Sequence, residues 1–185
     1  MNVKRIITFA VTLVGFLIAG IILTGGETND YAEVRPAAAT TSTSSSTSSS
    51  SFRAPDFRLS AMDGKEISLS DYEGSVIIIN FWTTWCGPCR YEIPDLMELR
   101  EKYDGDLIVL GISLDYEPSS VVPRFAEKLG INYPILYGDA GIARTYGGVS
   151  GIPTTFIIDR DMNVYRRYIG YRPQSVFIKD IEDLI

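Results

Sequence analysis

The sequence contains no histidine, and this absence excludes most of the sites that depend on imidazole. Serine and cysteine triads need a histidine base, and most zinc and copper sites use histidine ligands. Basic residues are also outnumbered, with 17 Lys and Arg against 23 Asp and Glu and a net charge of −6. This charge argues against nucleic acid and anionic membrane surfaces as partners.

The chain has 185 residues, which leaves room for one ordinary domain once its unusual N-terminal part is set aside. Two basic residues precede an almost purely apolar run from Ile6 to Leu23, whose length approaches that of a membrane-spanning helix. We interpret residues 1–25 as a signal-anchor with a cytoplasmic N-terminus; a cleaved signal peptide is the alternative. Residues 26–51 include an Ala, Ser and Thr-rich stretch and are predicted to be a flexible linker. Both interpretations export a domain at residues 52–185.

Strand-like and helix-like segments alternate in that domain, which predicts an α/β fold with a mixed central sheet flanked by helices. A buried β-branched run from Val76 to Trp82 is expected to form the central strand. The predicted elements are an N-terminal hairpin around Asp63-Gly64, strands over 76–82, 107–114, 133–136, 154–159 and 164–169, and helices over 86–102, 121–129 and from Pro173 onward.

The only two cysteines occur as Cys86-Gly87-Pro88-Cys89, at the junction between a predicted buried strand and a helix. A helix N-terminus presents unpaired N–H groups and a partial positive charge, which would stabilise a thiolate at Cys86. Cys89 lies one turn further along the same face, near enough to form a disulfide. A structural disulfide, half of a metal site and two inert thiols are the competing interpretations. A CxxC in this βαβ context favours a redox pair.

Two motifs together resemble those of the thioredoxins. The segment Phe81 to Arg90 (FWTTWCGPCR) is similar to their active-site segment, and Gly151 to Phe156 (GIPTTF) is similar to their cis-proline loop. Ala54-Pro55-Asp56-Phe57, the turn at Asp63-Gly64-Lys65 and a helix-strand insertion after Leu114 resemble the TlpA/ResA-like subgroup. The resemblance implies a thioredoxin fold over residues 52–185, with the N-terminal hairpin and the inserted helix-strand unit as additions.

This resemblance also implies roles for particular residues. Cys86 would attack a disulfide and Cys89 would resolve the intermediate. The subgroup carries a glutamate three residues after the second cysteine, and Glu92 occupies that position. Since Cys86, Cys89 and Glu92 are spaced by three residues, they share a helix flank, and Glu92 would take the proton from Cys89. An ordinary solvated helix glutamate is the alternative. Substrate contacts would come from Trp85, Gly87, Pro88, Ile152 and Pro153.

The predicted anchor and the resemblance together imply a bacterial protein that is single-pass in the cell membrane, with the catalytic domain on the extracytoplasmic side. The resemblance therefore implies that disulfide-containing extracytoplasmic proteins are the partners, commonly in cytochrome c maturation, and that a membrane thiol electron donor re-reduces the enzyme. It implies no cofactor and no metal. Asn80 departs from thioredoxin proper, which has a buried aspartate there, so Glu92 or water would have to move the proton.

Two other functions compete with disulfide exchange. A thiol peroxidase is one, because Thr83-Thr84-Trp85-Cys86 has the Thr-x-x-Cys spacing of peroxiredoxins, although Ile79 replaces their preceding proline. A Sco-like copper-delivery protein is the other, since two thiolates bind Cu(I), but without histidine the site is short of ligands.

Overall fold

A computed structural model of the protein describes residues 52–185, and its first strands form a hairpin. Strand β1 (Arg58–Ser60) pairs antiparallel with strand β2 (Glu66–Ser68). The turn between them contains Gly64, whose φ of 86° lies in the left-handed region that favours glycine. The predicted hairpin is therefore confirmed. It joins the edge of the main sheet through a hydrogen bond from the amide of Met62 to the carbonyl of Ile135.

The central sheet has five strands: β3 (Val76–Trp82), β4 (Leu107–Ser113), β5 (Ile135–Tyr137), β6 (Thr154–Ile158) and β7 (Val164–Ile169). Their order across the sheet is β5-β4-β3-β6-β7. Strand β3 is parallel to β4 and antiparallel to β6, so the sheet is mixed, as predicted. Every residue of β3 is buried, which explains why its sequence is apolar without alternation.

Four α-helices pack around this sheet: α1 (Gly87–Lys102), α2 (Pro118–Leu129), α3 (Ala140–Thr145) and α4 (Gln174–Glu182). On one face Trp82 of β3 belongs to the same core as Leu96 of α1, Val122 of α2 and Phe177 of α4. On the other face Phe81 shares a core with the hairpin side chains and with Ile142 of α3. Helices therefore cover both faces of the sheet, and the domain has the predicted thioredoxin fold.

Three elements between β4 and β6 differ from the sequence prediction. Strand β5 covers Ile135–Tyr137 rather than 133–136. Helix α2 begins at Pro118 rather than Val121, and proline fits the first turn because its missing N–H would have no partner there. Helix α3 was not predicted at all. Its six residues follow Asp139, whose carboxylate accepts hydrogen bonds from the amides of Gly141 and Ile142. This cap, rather than apolar periodicity, defines the helix.

The predicted anchor at residues 1–25 and the predicted linker at residues 26–51 lie outside the described residues. Within residues 52–185, no helix is both long and apolar enough to cross a bilayer.

Candidate active site

Cys86 and Cys89 form a disulfide at the N-terminus of helix α1, with their Cα atoms 5.3 Å apart. Cys86 is the N-cap residue, and its Sγ accepts a hydrogen bond from the amide of Cys89 at 3.2 Å. The amide of Cys89 and the helix dipole would stabilise a thiolate at Cys86 after reduction. Cys86 is 4% exposed, whereas Cys89 is fully buried. Cys86 is therefore the sulfur that an incoming disulfide reaches first.

Glu92 lies inside the protein one turn beyond Cys89, with no exposed surface. Its Oε2 accepts hydrogen bonds from Nδ2 of Asn80 at 2.7 Å and from Oγ1 of Thr155 at 3.0 Å. Its Oε1 accepts one from the backbone amide of Arg172 at 3.2 Å. The alternative of a solvated helix glutamate is therefore wrong.

Burial controls the acidity of this carboxyl group. Desolvation raises the pKa of Glu92 from 4.5 to about 7, although the hydrogen bonds from Arg172, Thr155 and Asn80 lower it. Removing water from a carboxylate costs more here than three donors restore. A carboxyl group with a pKa near neutrality is suited to accepting and releasing protons at physiological pH.

Two of the three polar contacts of Glu92 come from neighbouring buried strands, and the third, the amide of Arg172, follows β7. Asn80 of β3 lies directly opposite Thr155 of β6, and Nδ2 of Asn80 also donates to Oγ1 of Thr155 at 2.9 Å. Sequence analysis identified Asn80 as unusual but missed Thr155 and the amide of Arg172. The two threonines that begin the buried strand β6 were the available signal for Thr155.

The loop before β6 brings a proline to the same end of the sheet as the cysteines. The Ile152–Pro153 peptide bond is cis, as the thioredoxin resemblance implies. Thr154 pairs with Phe81, so Pro153 lies beside the end of β3, from which the chain continues to Cys86. The carbonyl of Pro153 accepts a hydrogen bond from the amide of Gly170 at 2.7 Å, which fixes the loop.

The remaining predicted contact residues differ in exposure. Trp85 is 71% exposed, and Gly87 and Pro88 are also exposed, so these three surround Cys86 at the surface. Ile152 is half-buried and Pro153 is buried beside them. Trp82 is fully buried, in agreement with its predicted place in the core. The structure thus brings all the predicted site residues to one end of the domain.

The rival functions find little support in this geometry. Within residues 52–185, Oγ1 of Thr83 is buried and makes no hydrogen bond, so it does not contact Sγ of Cys86 as the peroxidase hypothesis requires. In the same residues no group of three or more His, Cys, Asp or Glu side chains lies close enough to hold a metal ion. A copper site would therefore have to rely on the two cysteines.

The sequence of this chain is similar to a known family and to proteins named as thiol-disulfide oxidoreductases or thioredoxin-like proteins. The AhpC/TSA family model matches residues 52–167. Thiol-disulfide oxidoreductase ResA of Geobacillus thermodenitrificans is 38% identical over 132 residues, which cover 71% of this chain and 75% of that protein. Thioredoxin-like protein YneN of Bacillus subtilis is 35% identical over 120 residues, covering 64% and 70% of the two chains.

The solved structures that resemble this chain are also named as thiol-disulfide exchange proteins or thioredoxins. A putative thiol:disulfide interchange protein DsbE from Chlorobium tepidum superposes with a TM-score of 0.67 at 32% identity, covering 72% of this chain and 95% of that one. The exposed lipoprotein thioredoxin Etrx1 of Streptococcus pneumoniae has a TM-score of 0.60 at 27% identity, covering 70% and 100%.

Proposed function

The chain belongs to the AhpC/TSA family as a ResA-like thiol-disulfide oxidoreductase, and from this premise we propose that it reduces disulfides of partner proteins outside the cytoplasm. One observation carries the proposal: a partly accessible Cys86 at a helix N-terminus is joined to a buried Cys89, with the buried carboxyl group of Glu92 one turn further along. This arrangement separates the attacking sulfur from the sulfur that must be deprotonated inside the protein.

The proposed reaction begins with the reduced dithiol. The Cys86 thiolate attacks one sulfur of a partner disulfide, forms a mixed disulfide and releases the other partner sulfur as a thiolate. Cys89 then loses its proton to Glu92 and attacks Sγ of Cys86, which breaks the mixed disulfide. The partner gains two electrons and, after its two thiolates take up protons from water and from Glu92, becomes a dithiol, while Cys86 and Cys89 are oxidised to the disulfide.

The environment of Glu92 supports its proposed role as the acceptor of the Cys89 proton. A carboxyl group with a pKa of about 7 is partly ionised at neutral pH and accepts the Cys89 proton without a large energetic penalty. Its three hydrogen-bond donors hold the carboxyl group in one position. Trp85, Gly87, Pro88, Ile152 and Pro153 would contact the partner chain around the attacked disulfide.

The cellular setting is part of the same proposal. The apolar run at residues 6–23 supports a single-pass signal-anchor, a flexible linker at residues 26–51 and an extracytoplasmic domain at residues 52–185. The structural likeness to an exposed lipoprotein thioredoxin also supports a location outside the cytoplasm. The TlpA/ResA-like resemblance supports cytochrome c maturation as the process and a membrane thiol donor as the source of electrons.

Trapping with cysteine variants of the full chain tests the chemistry. We expect Cys89→Ser to accumulate mixed disulfides with partner proteins, because the resolving thiol is missing. The Cys86→Ser variant is the matched control, because it keeps one thiol but loses the attacking sulfur. Trapping by Cys86→Ser instead of Cys89→Ser would contradict the assigned roles.

The direction of electron flow is tested by the reduction potential in thiol-disulfide buffers, followed by tryptophan fluorescence. On this fold, potentials extend from about −270 mV for thioredoxin to about −120 mV for a strong oxidant. We expect a value near the reducing end. A value near the oxidising end would contradict the reductase proposal and indicate an enzyme that introduces disulfides.

A further inference from the structure

The turn that leads into the active-site helix is held at its centre by charged side chains. Residues Thr83 to Cys86 form this turn, which is closed by a hydrogen bond from the amide of Cys86 to the carbonyl of Thr83 at 3.3 Å. Thr84 and Trp85 occupy its two central positions. The turn therefore positions the backbone of Trp85 and places Cys86 as the N-cap residue of helix α1.

Asp115, which follows strand β4, binds one side of Thr84. The carboxylate accepts the backbone amide of Thr84 at 2.9 Å and its hydroxyl group at 2.7 Å. It also accepts the hydroxyl group of Ser113 at 2.9 Å. Asp115 is only 7% exposed, so these hydrogen bonds are shielded from water and are stronger than surface contacts.

Arg90 of helix α1 binds the opposite side of Thr84. Its guanidinium group donates from Nη2 at 2.8 Å and from Nε at 3.3 Å to the carbonyl of Thr84. The guanidinium group also lies 5.5 Å from the ring centroid of Phe125 in helix α2. That ring packs against Trp82 with a centroid distance of 5.3 Å. Arg90 is thus supported by the core beneath it.

We propose that Asp115 and Arg90 are positioning residues that hold Trp85 in a partner-facing orientation and so favour protein disulfides over small disulfides. Both peptide groups of Thr84 are engaged by charged partners, which restrains the backbone that carries Trp85. Trp85 is 71% exposed and directly precedes Cys86, so a protein chain that approaches this sulfur meets the indole ring. The inference rests on the proposed attack of Cys86 on protein disulfides.

A purely structural clamp would make a different prediction. If the hydrogen bonds around Thr84 only stabilised the fold, their loss would lower stability and affect every disulfide substrate alike. If they present Trp85 to a partner, their loss would raise KM for a protein disulfide. A small disulfide would react at its former rate because it needs only access to Cys86.

The experiment compares two probe substrates, insulin and 5,5′-dithiobis(2-nitrobenzoic acid), with the full chain. We expect Asp115→Asn to lower kcat/KM for insulin about tenfold through KM, since one carboxylate oxygen replaced by an amide cannot accept all three donors. The rate with the small disulfide and the equilibrium constant with glutathione should stay within twofold of wild type. Asp159→Asn is the matched control, because that carboxylate also accepts three donors, in the turn between β6 and β7, and does not contact Thr84.

A second pair of variants keeps the test decisive if Asp115→Asn fails to fold. Thr84→Val removes only the hydroxyl donor and should reproduce part of the insulin defect, whereas Thr84→Ser should behave as wild type. Equal losses with insulin and with the small disulfide, or a wild-type KM in both Asp115→Asn and Thr84→Val, would overturn the inference. If wild type itself reduces the small disulfide but not insulin, the proposed function fails first, and the inference falls with it.

Discussion

The side-chain amide of Asn80 donates a 2.7 Å hydrogen bond to the carboxylate of Glu92, and neither residue has any exposed surface. This contact joins the strand that leads to the active site with the helix that carries both cysteines. It also places an ionisable group where water cannot solvate it. Ionisation of Glu92 is therefore unfavourable in the folded protein, and the stability of the domain depends on pH.

Glu92→Gln is expected to remove a pH-dependent loss of stability. The folded protein keeps the Glu92 proton up to about pH 7, whereas the unfolded chain releases it near pH 4.5. The free energy of unfolding therefore falls as pH rises through this window, by about 3 kcal/mol. Glutamine stays neutral, so the stability of the variant should not fall in this way, and its stability relative to wild type should rise between pH 4.5 and pH 8.

Urea unfolding of the oxidised full chain at several pH values measures this difference. The exposed residue Glu127 supplies the control, because Glu127→Gln removes a carboxyl group of the same kind without changing the buried site. A Glu92→Gln variant that loses stability between pH 4.5 and 8 as steeply as wild type would show that the carboxyl group ionises normally.

Gly111→Ala is expected to destabilise the domain by about 1–3 kcal/mol through overpacking. A Cβ atom at this position would lie 3.0 Å from Nε1 of Trp82 and 3.0 Å from Cε2 of Tyr133, both in buried rings. Gly87→Ala is the matched control, since a Cβ there meets nothing within 4 Å. Urea midpoints compare the two variants, and equal stability would contradict the tight contact.

Tyr168→Phe is expected to cost about 1–3 kcal/mol of folding stability, because it removes a donor from a buried carboxylate. The hydroxyl group of Tyr168 donates to Oδ2 of Asp180 at 2.6 Å, and Asp180 is only 5% exposed. The neighbouring Tyr165→Phe removes a 3.2 Å contact with exposed Asp183 and should change stability by less than about 0.5 kcal/mol. Thermal unfolding of the two variants checks the contrast.

Local patterns explain which elements the sequence predicted. Strand β3 matches its prediction over Val76–Trp82 because a buried central strand is apolar at every position. Helix α1 matches because proline, the cysteine spacing and apolar periodicity all favour the same start. Helix α3 was missed since Ala140–Thr145 is too short to show periodicity, and only the cap at Asp139 indicated it.

Contacts between distant segments explain what the sequence left open. The helical spacing predicted that Glu92 shares a flank with the cysteines, but its burial depends on Thr155, which lies 63 residues away. The hydrogen bonds between Asp115 and Thr84 span 31 residues and leave no local pattern. Such pairings are fixed by sheet register, which emerges only when β3, β4 and β6 align.

Glu92→Gln and Asn80→Asp together test whether Glu92 accepts the Cys89 proton, because Asn80→Asp alone adds a second carboxyl group that could accept it. The substitution replaces a donor 2.7 Å from the carboxylate with a second acidic group, so the pKa of Glu92 should rise further above 7. If Glu92 is the acceptor, the rate at which Cys89 resolves a mixed disulfide with glutathione should titrate near pH 7 in wild type. That midpoint should move upward by at least about one pH unit in the variant.

Quenched-flow measurement of disulfide closure across pH 5–9 gives these midpoints for the full chain. The matched control is Asn132→Asp, because Nδ2 of Asn132 donates to Oε1 of Glu101 at 2.8 Å on the exposed side of helix α1. Asn132→Asp should leave the midpoint at its wild-type value, because this second Asn-Glu pair is remote from Cys89. Glu92→Gln should abolish the titration near pH 7 altogether. The midpoint could instead be unchanged in Asn80→Asp, and the pH profile of Glu92→Gln could be that of wild type. Those two results together would show that the Cys89 proton goes to water and not to Glu92.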